Sequence, residues 1–189
     1  QQIVDVIDPR PEDLLVEIGP GQAALTGELL ASGAELHLVE IDRDLAALLE
    51  KKISGWLSES TGKLPVELHV ADALKFDFGE LSAGRPMRLI GNLPYNISTP
   101  LIFHLFQWPE LIRDMHFMLQ KEVVNRMAAC PGGKTWGKLS VMCQYHCQVS
   151  PLFSVSPQAF SPRPKVDSGF VRLVPHAKPP VRIRSMESL

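Results

Sequence analysis

Four consecutive residues near the middle of the chain, Asn92-Leu93-Pro94-Tyr95, have the chemistry needed to hold a planar amine. The exocyclic nitrogen of an aromatic amine is a poor nucleophile because its lone pair is delocalised into the ring. The Asn92 side-chain oxygen and a backbone carbonyl near Leu93 could accept its two hydrogens, which would orient the amine and increase its electron density. Pro94 stiffens the loop, and Tyr95 offers a face on which a base can stack. The motif predicts a catalytic site for a base amino group.

A turn that contains two glycines predicts a second site. The segment Glu17-Ile18-Gly19-Pro20-Gly21 lies between a predicted strand and a predicted helix, where glycine permits a tight turn and a close ligand approach. Glu40 ends the next predicted strand, 19 residues after Gly21. An acid at this spacing accepts hydrogen bonds from ribose hydroxyls. The pattern indicates a nucleoside cofactor, but it does not separate NAD from S-adenosylmethionine.

Asp72 and Ala73 follow the third predicted strand. The Asp72 carboxylate can accept from an adenine amino group, and the next backbone N–H can donate to a ring nitrogen. Ile41, directly after Glu40, belongs to the same predicted cofactor site. Asp42 is interpreted as a solvated neighbour or a helix cap.

The charge is unevenly distributed. Residues 1–95 carry 8 Lys and Arg against 16 Asp and Glu, a net charge of −8, whereas residues 96–189 carry 11 against 5, a net charge of +6. The acidic half could favour a cationic cofactor and the basic half a polyanion, although chance surface patterning is the alternative. The chain has no run of about 18 apolar residues and opens with no secretory signal, so no membrane association is expected.

The spacing of the cysteines and histidines in the sequence does not predict a metal site. Cys143, His146 and Cys147 have the spacing of possible ligands, but a second ligand pair is missing, so buried apolar thiols on a helix face are favoured. An odd cysteine count suits a reducing cytoplasm. Four further histidines are predicted to be structural: His37, His69, His104 and His116.

Apolar patterning predicts alternating strands and helices, which favours a mostly parallel sheet with helices on both faces. The predicted strands are 14–18, 35–40, 66–70, 87–90, 114–119 and 168–174. The predicted helices are 26–31, 44–57 with Asp44 as the cap, 99–106 and 121 to about 129. The segment 138–149 is ambiguous, with a helix followed by a strand preferred.

Several motifs together resemble the bacterial rRNA adenine dimethyltransferases of the small subunit, the KsgA family. Asn92-Leu93-Pro94-Tyr95 resembles the amine-methyltransferase motif of that family. Residues 118–126, 137–141 and 160–168 resemble its central block and its late loop, so the likeness runs from Glu17 to about Pro175.

The resemblance implies an S-adenosylmethionine-dependent enzyme that dimethylates adenine N6 on two adjacent adenosines of a 3'-terminal hairpin loop of 16S rRNA. It implies a Rossmann-like sheet of seven strands with one antiparallel strand. The implied partner is the immature 30S ribosomal subunit, and the implied protein is a cytoplasmic monomer. The implied catalytic residues are Asn92, Leu93, Pro94 and Tyr95. The implied cofactor-binding residues are Glu17, Gly19, Gly21, Glu40, Ile41, Asp72, Ala73 and Asn92. The implied substrate-binding residues are Tyr95, Phe160, Arg163 and Lys165.

The sequence departs from the family pattern in three places. Ala23 occupies a position that is often glycine in related methyltransferases. The N-terminal Gln-Asn-Phe-Leu stretch of the family has no match, and the C-terminal helical domain is absent. Because the chain also begins with Gln1, a trimmed catalytic domain over residues 1–175 and a linker over 176–189 are expected.

Four other functions remain open. The 23S rRNA methyltransferase of macrolide resistance would share the cofactor motifs, but residues 137–141 and 160–168 favour the small-subunit enzyme. A DNA adenine methyltransferase usually has Asp or Asn followed by Pro-Pro-Tyr, whereas in this chain Asn92 is followed by Leu93. A dehydrogenase would share the glycine turn, but its reaction would not explain the Asn92 motif. A ribosome-assembly factor whose methylation is secondary is the alternative from another class.

Overall fold

The computed structural model describes residues 2–59, 65–94, 96–159 and 163–181. The chain divides into two compact units, residues 1–92 and residues 93–189. Within the described ranges, every helix is too short or too polar to cross a lipid bilayer.

The first unit alternates parallel strands with helices. Its strands are β1 (Leu14–Ile18), β2 (Glu35–Glu40), β3 (Val66–Val70) and β4 (Met87–Asn92). Its helices are α1 (Gln2–Ile7), α2 (Thr26–Leu30), α3 (Arg43–Glu59) and α4 (Phe78–Ser82). β1 pairs in parallel with β2 and β4, and β2 pairs in parallel with β3. Every residue of β1 is buried, as expected for a strand with parallel neighbours on both sides.

The second unit has antiparallel pairing. Its strands are β5 (Ile112–Gln120), β6 (Cys147–Val155) and β7 (Ser168–Pro175). Its helices are α5 (Ser98–Leu105), α6 (Lys121–Met127), α7 (Lys138–His146) and a 3-10 turn, Pro157–Ala159. β7 runs antiparallel to both β5 and β6. The register of β6 shifts between Pro151 and Phe153, where proline has no N–H to donate to the ladder.

The strand order of the sheet is β3-β2-β1-β4-β5-β7-β6. This order, with β7 as the reversed strand, confirms the predicted α/β fold class. The ambiguous segment 138–149 is a helix followed by a strand, as preferred from the sequence.

The predicted cap of α3 was wrong. The helix begins at Arg43, and Asp42 Oδ1 accepts from the backbone N–H groups of Asp44 at 2.8 Å and Leu45 at 3.2 Å. These donors are the second and third helical residues, which is the geometry of an N-cap at Asp42. Asp44 lies inside the first turn, where its charge still suits the helix dipole.

The short helices α1 and α4 were not predicted. α1 is held by the buried Arg88 of β4, whose guanidinium donates to the carbonyl of Ile7 at 2.7 Å and pairs with Asp13 at 2.8 Å. α4 is capped by Asp77, which accepts from the N–H of Glu80 at 3.0 Å. Both helices have polar contacts at their ends that apolar periodicity does not reveal.

Cys143 and Cys147 are buried free thiols. Burial raises the pKa of each to about 12. Both side chains lie in the packed core, with 0% of Cys143 and 1% of Cys147 exposed. Cys147, however, begins β6 and does not belong to the helix face.

Candidate active site

The carboxyl ends of the four parallel strands of the first unit meet at one edge. The register places Ile18 of β1 beside Val39 of β2 and Gly91 of β4, and it places Glu40 beside Val70 of β3. The loops after these strands carry the predicted cofactor residues, and β4 ends with Asn92. Open α/β sheets bind ligands at this edge.

The glycine turn after β1 has left-handed backbone geometry at three positions. The φ angles are +66° at Gly19, +54° at Gly21 and +65° at Ala23. Glycine adopts this region without steric cost. In an alanine with this backbone conformation, the Cβ lies too close to the backbone, which is unfavourable. The departure from glycine at Ala23 is therefore a strained position, and the N–H of Ala23 donates to the carbonyl of Pro20 at 2.8 Å.

Glu40 joins the glycine turn to the end of β2. Its Oε2 accepts from the N–H of Gly21 at 3.1 Å, and its Oε1 accepts from the N–H of Asp42 at 3.0 Å. The residue is only 5% exposed. Since a carboxylate can accept about four hydrogen bonds, these two contacts leave capacity for ribose hydroxyls.

Glu17 lies beneath the turn and holds the start of α2. Its Oε2 accepts from the Thr26 hydroxyl at 2.8 Å, and both residues are buried. Burial raises the pKa of Glu17 to about 7, the Thr26 hydrogen bond opposes this rise, and the Glu40 charge adds to it. The role of Thr26 was not predicted from the sequence; a hydroxyl residue at the start of the helix, nine positions after the acid, was the available signal.

Asp72 closes the loop after β3. Its Oδ1 accepts from the N–H of Leu74 at 3.0 Å, and its carbonyl accepts from Lys75 at 2.9 Å. Asp72 also lines a cavity of about 630 Å³ with His69, Phe76 and Leu81, and the other predicted cofactor residues are not among its walls. Ala73 is buried, whereas the Ile41 side chain is 64% exposed and offers an apolar surface at the end of β2. The acceptor at Asp72 and the apolar surface at Ile41 suit a purine nucleoside.

The Asn92 motif begins at the last residue of β4. Asn92 is exposed, whereas Leu93 is buried and its N–H donates to the carbonyl of Met118 at 3.1 Å. The Pro94 carbonyl accepts from Ile97 at 3.2 Å and Ser98 at 3.1 Å at the start of α5. The backbone that directly follows the accessible amide is thus held by hydrogen bonds at Leu93 and Pro94.

The structure places the predicted substrate residues only in part. Arg163 and Lys165 are exposed, as phosphate contacts require. Tyr95 and Phe160 lie outside the described residues. No geometry therefore bears on the predicted stacking of a base between these two rings.

The strand order and the similarity to two solved methyltransferases define the class of the fold, a Rossmann-like methyltransferase. The family model described as ribosomal RNA adenine dimethylase matches residues 1–189. The chain belongs to that family, which confirms the resemblance stated from the motifs.

Three similar proteins illustrate the relationship. Ribosomal RNA small subunit methyltransferase A of Pseudomonas fluorescens is 59% identical over 177 residues, which cover 93% of this chain and 63% of that protein. A crystal structure of a dimethyladenosine transferase from Plasmodium falciparum has a TM-score of 0.79 at 31% identity and covers 93% of this chain and 60% of that one. The 23S rRNA methyltransferase ErmE has a TM-score of 0.80 at 28% identity, covering 99% and 71%. The chain therefore spans less than two thirds of the length of the first relative.

Proposed function

We propose that this chain is the catalytic part of an S-adenosylmethionine-dependent rRNA (adenine-N6,N6)-dimethyltransferase. The substrate would be two adjacent adenosines in a 3'-terminal hairpin loop of 16S rRNA, within the immature 30S subunit during ribosome biogenesis. The observation that carries this proposal is the single sheet edge where the glycine turn, Glu40, Asp72 and the exposed Asn92 follow four parallel strands. The family match and the 59% identity to a small-subunit methyltransferase support the choice of substrate.

The first unit would bind the cofactor. Gly19 and Gly21 would approach its methionine part, since their turn exposes the backbone. Glu40 would accept from the ribose hydroxyls, and Asp72 with the Ala73 N–H would read the adenine edge. Ile41 would cover the adenine face. Glu17 would contribute indirectly, because its hydrogen bond with Thr26 fixes the start of α2.

The Asn92 motif would hold the target amine. S-adenosylmethionine supplies an electrophilic methyl group on a sulfonium. The Asn92 oxygen and a carbonyl near Leu93 would accept the two N6 hydrogens, which favours pyramidalisation of the nitrogen toward that methyl. Tyr95 and Phe160 would stack on the extruded base. The amine would lose a proton to solvent after each transfer, and a second transfer would give the dimethylated product without a metal or a covalent enzyme intermediate.

The RNA would be attracted by the basic half of the sequence. Residues 96–189 have a net charge of +6, and the exposed Arg163 and Lys165 would contact phosphates. Because phosphate binding releases counterions, raising salt should weaken RNA binding more than cofactor binding. We further propose a cytoplasmic monomer in which residues 1–175 form the catalytic domain and 176–189 a linker.

The 23S rRNA is the second candidate substrate. The similarity to ErmE, with a TM-score of 0.80, is as high as that to the dimethyladenosine transferase, so the fold does not rank the two. The 59% identity to a small-subunit enzyme favours 16S rRNA over this alternative.

The test is methylation of purified subunits by the full-length protein. Immature small subunits and large subunits would be incubated separately with methyl-labelled cofactor, and the modified bases would be mapped. We expect two adjacent N6,N6-dimethyladenosines in small-subunit RNA and none in large-subunit RNA. Label confined to the large subunit would identify the 23S enzyme, and label on neither would reject the proposed activity.

A further inference from the structure

Two histidines and a glutamate converge on one face of the β2–β3 pair. The register pairs His37 with Glu67 and Val39 with His69. Because side chains alternate along a strand, residues 67 and 69 share a face, and His37 meets them across the pair. One ligand atom from each of His37, Glu67 and His69 lies within 4.8 Å of the other two.

The distances suit a small divalent cation. His37 Nδ1 lies 2.9 Å from His69 Nε2 and 3.9 Å from Glu67 Oε2, and His69 Nε2 lies 4.0 Å from Glu67 Oε1. Zinc bonds of about 2.0–2.1 Å in a tetrahedron separate the ligand atoms by roughly 3.3 Å. The separation of the two histidine nitrogens is shorter than this value, and the Glu67 distances, which involve two different oxygens, are longer, so side-chain rotations would have to close the site.

A supporting carboxylate orients the first ligand. His37 Nε2 lies 3.1 Å from Glu35 Oε1, and Arg85 donates to Glu35 Oε2 at 2.6 Å. A carboxylate on the far ring nitrogen fixes the hydrogen there and directs the Nδ1 lone pair toward His69. Histidines that bind metals commonly have such a partner.

The second ligand is held by packing. The His69 ring contacts Phe76 with a centroid distance of 5.2 Å, and it lies nearly parallel to the His37 ring with a centroid distance of 5.2 Å and an interplanar angle of 14°. With the His37 hydrogen on Nε2 beside Glu35, His37 Nδ1 is an acceptor, and in the absence of a cation it would accept from the Nε2–H of His69. A cation would replace that bridging hydrogen, and the proton of His69 would move to its Nδ1 without a change in net charge.

We propose that His37, Glu67 and His69 form a zinc site whose fourth position is open to water. Two histidines and one carboxylate with an open position are a ligand set that Zn²⁺ favours. The ion would connect β2 to β3, whose ends carry the proposed cofactor residues Glu40 and Asp72. It would stabilise these strands and take no part in methyl transfer. The expectation from the sequence that His37 and His69 are only structural would then be incomplete.

The test is zinc titration of full-length protein that has been treated with a chelator. Cys130 is exposed and could bind zinc, so all variants would carry Cys130→Ser. Glu67→Gln removes a ligand that is 66% exposed, which keeps the fold, and His69→Gln removes a nitrogen ligand. Glu50→Gln on the surface of α3 is the matched control.

We expect the parent protein to bind one zinc ion and to gain thermal stability on binding. Glu67→Gln and His69→Gln should each weaken the affinity by more than about 100-fold, which exceeds the loss typical of supporting residues. Glu50→Gln should bind like the parent. X-ray absorption should show only nitrogen and oxygen ligands. Equal affinity in all four proteins, sulfur in the ligand shell, or no binding by the parent would each overturn the proposal, and none of these results bears on methylation.

Discussion

The cofactor side and the amine side of the candidate site are built in opposite ways. On the cofactor side, the polar groups already hydrogen-bond within the protein: Glu17 with Thr26, and Glu40 with the backbone of Gly21 and Asp42. On the amine side, the backbone is fixed while the Asn92 side chain is exposed. A binding surface can thus be shaped before the ligand arrives, whereas the group that acts on the substrate must remain accessible. Variants on the two sides should therefore affect different measurements.

The largest effect is expected from Asn92→Ala in the full-length protein. Loss of an acceptor that strengthens in the transition state should lower kcat by about 100- to 1,000-fold. Although the resemblance also implies a cofactor contact for Asn92, the Kd for the cofactor should change little, because the acids of the cofactor side remain. Asn125→Ala on the exposed surface of α6 is the matched control. If turnover survives in Asn92→Ala, the role of this amide is wrong.

Glu17 should give the cofactor side a pH dependence. Since the pKa of Glu17 in the fold is raised from 4.5 to about 7, its stability contribution is fully present below pH 4.5 and is lost as the pH rises through 7. This loss is at most about 3 kcal/mol. Glu17→Gln should flatten that part of the profile of unfolding free energy measured by denaturant at pH 5 to 8. A variant profile parallel to that of the parent would exclude this cause, and Glu50→Gln should leave the profile unchanged.

Glu40→Gln should show the reverse of the Asn92 pattern. The amide can accept from only one of the two N–H groups that the carboxylate holds, and leaving the other unpaired costs about 1–3 kcal/mol. The glycine turn should loosen, so the Kd for the cofactor should rise by about 10- to 100-fold, while kcat at saturating cofactor stays within a few-fold. Calorimetric titration with S-adenosylhomocysteine measures the first quantity. A drop in kcat with unchanged affinity would contradict the division of roles.

Ala23→Gly should have the smallest effect and the opposite sign. Because Ala23 has a φ of +65°, glycine removes strain, and after its own entropic cost the gain in stability should be about 1 kcal/mol. Thermal unfolding measures this gain, with Ala24→Gly as a control. A loss of stability would mean that the Ala23 methyl packs favourably enough to outweigh its strain.

The sequence was sufficient to predict the structure where the local apolar pattern and the sheet topology agree. The apolar run of β1 and the acid that ends β2 predicted the strands and the edge where the site lies. The sequence was insufficient where a contact depends on register or on one polar bond. The side-chain contact between His37 and His69 can be predicted only when the β2–β3 register is known. The hydrogen bond between Thr26 and Glu17 can be predicted only when the path of the glycine turn is known. The sequence did not decide between Asp42 and Asp44 as the cap, because both aspartates satisfy the sequence rule, and Asp44 was preferred wrongly.

The most direct test of the account is a crystal structure of the full-length protein with S-adenosylhomocysteine and adenosine. We expect the Asn92 side-chain oxygen about 3 Å from N6 of the adenosine, with N6 facing the sulfur. Glu40 should contact the ribose of S-adenosylhomocysteine in the same structure. An adenosine whose N6 is held by other groups, with Asn92 turned away from it, would contradict the account.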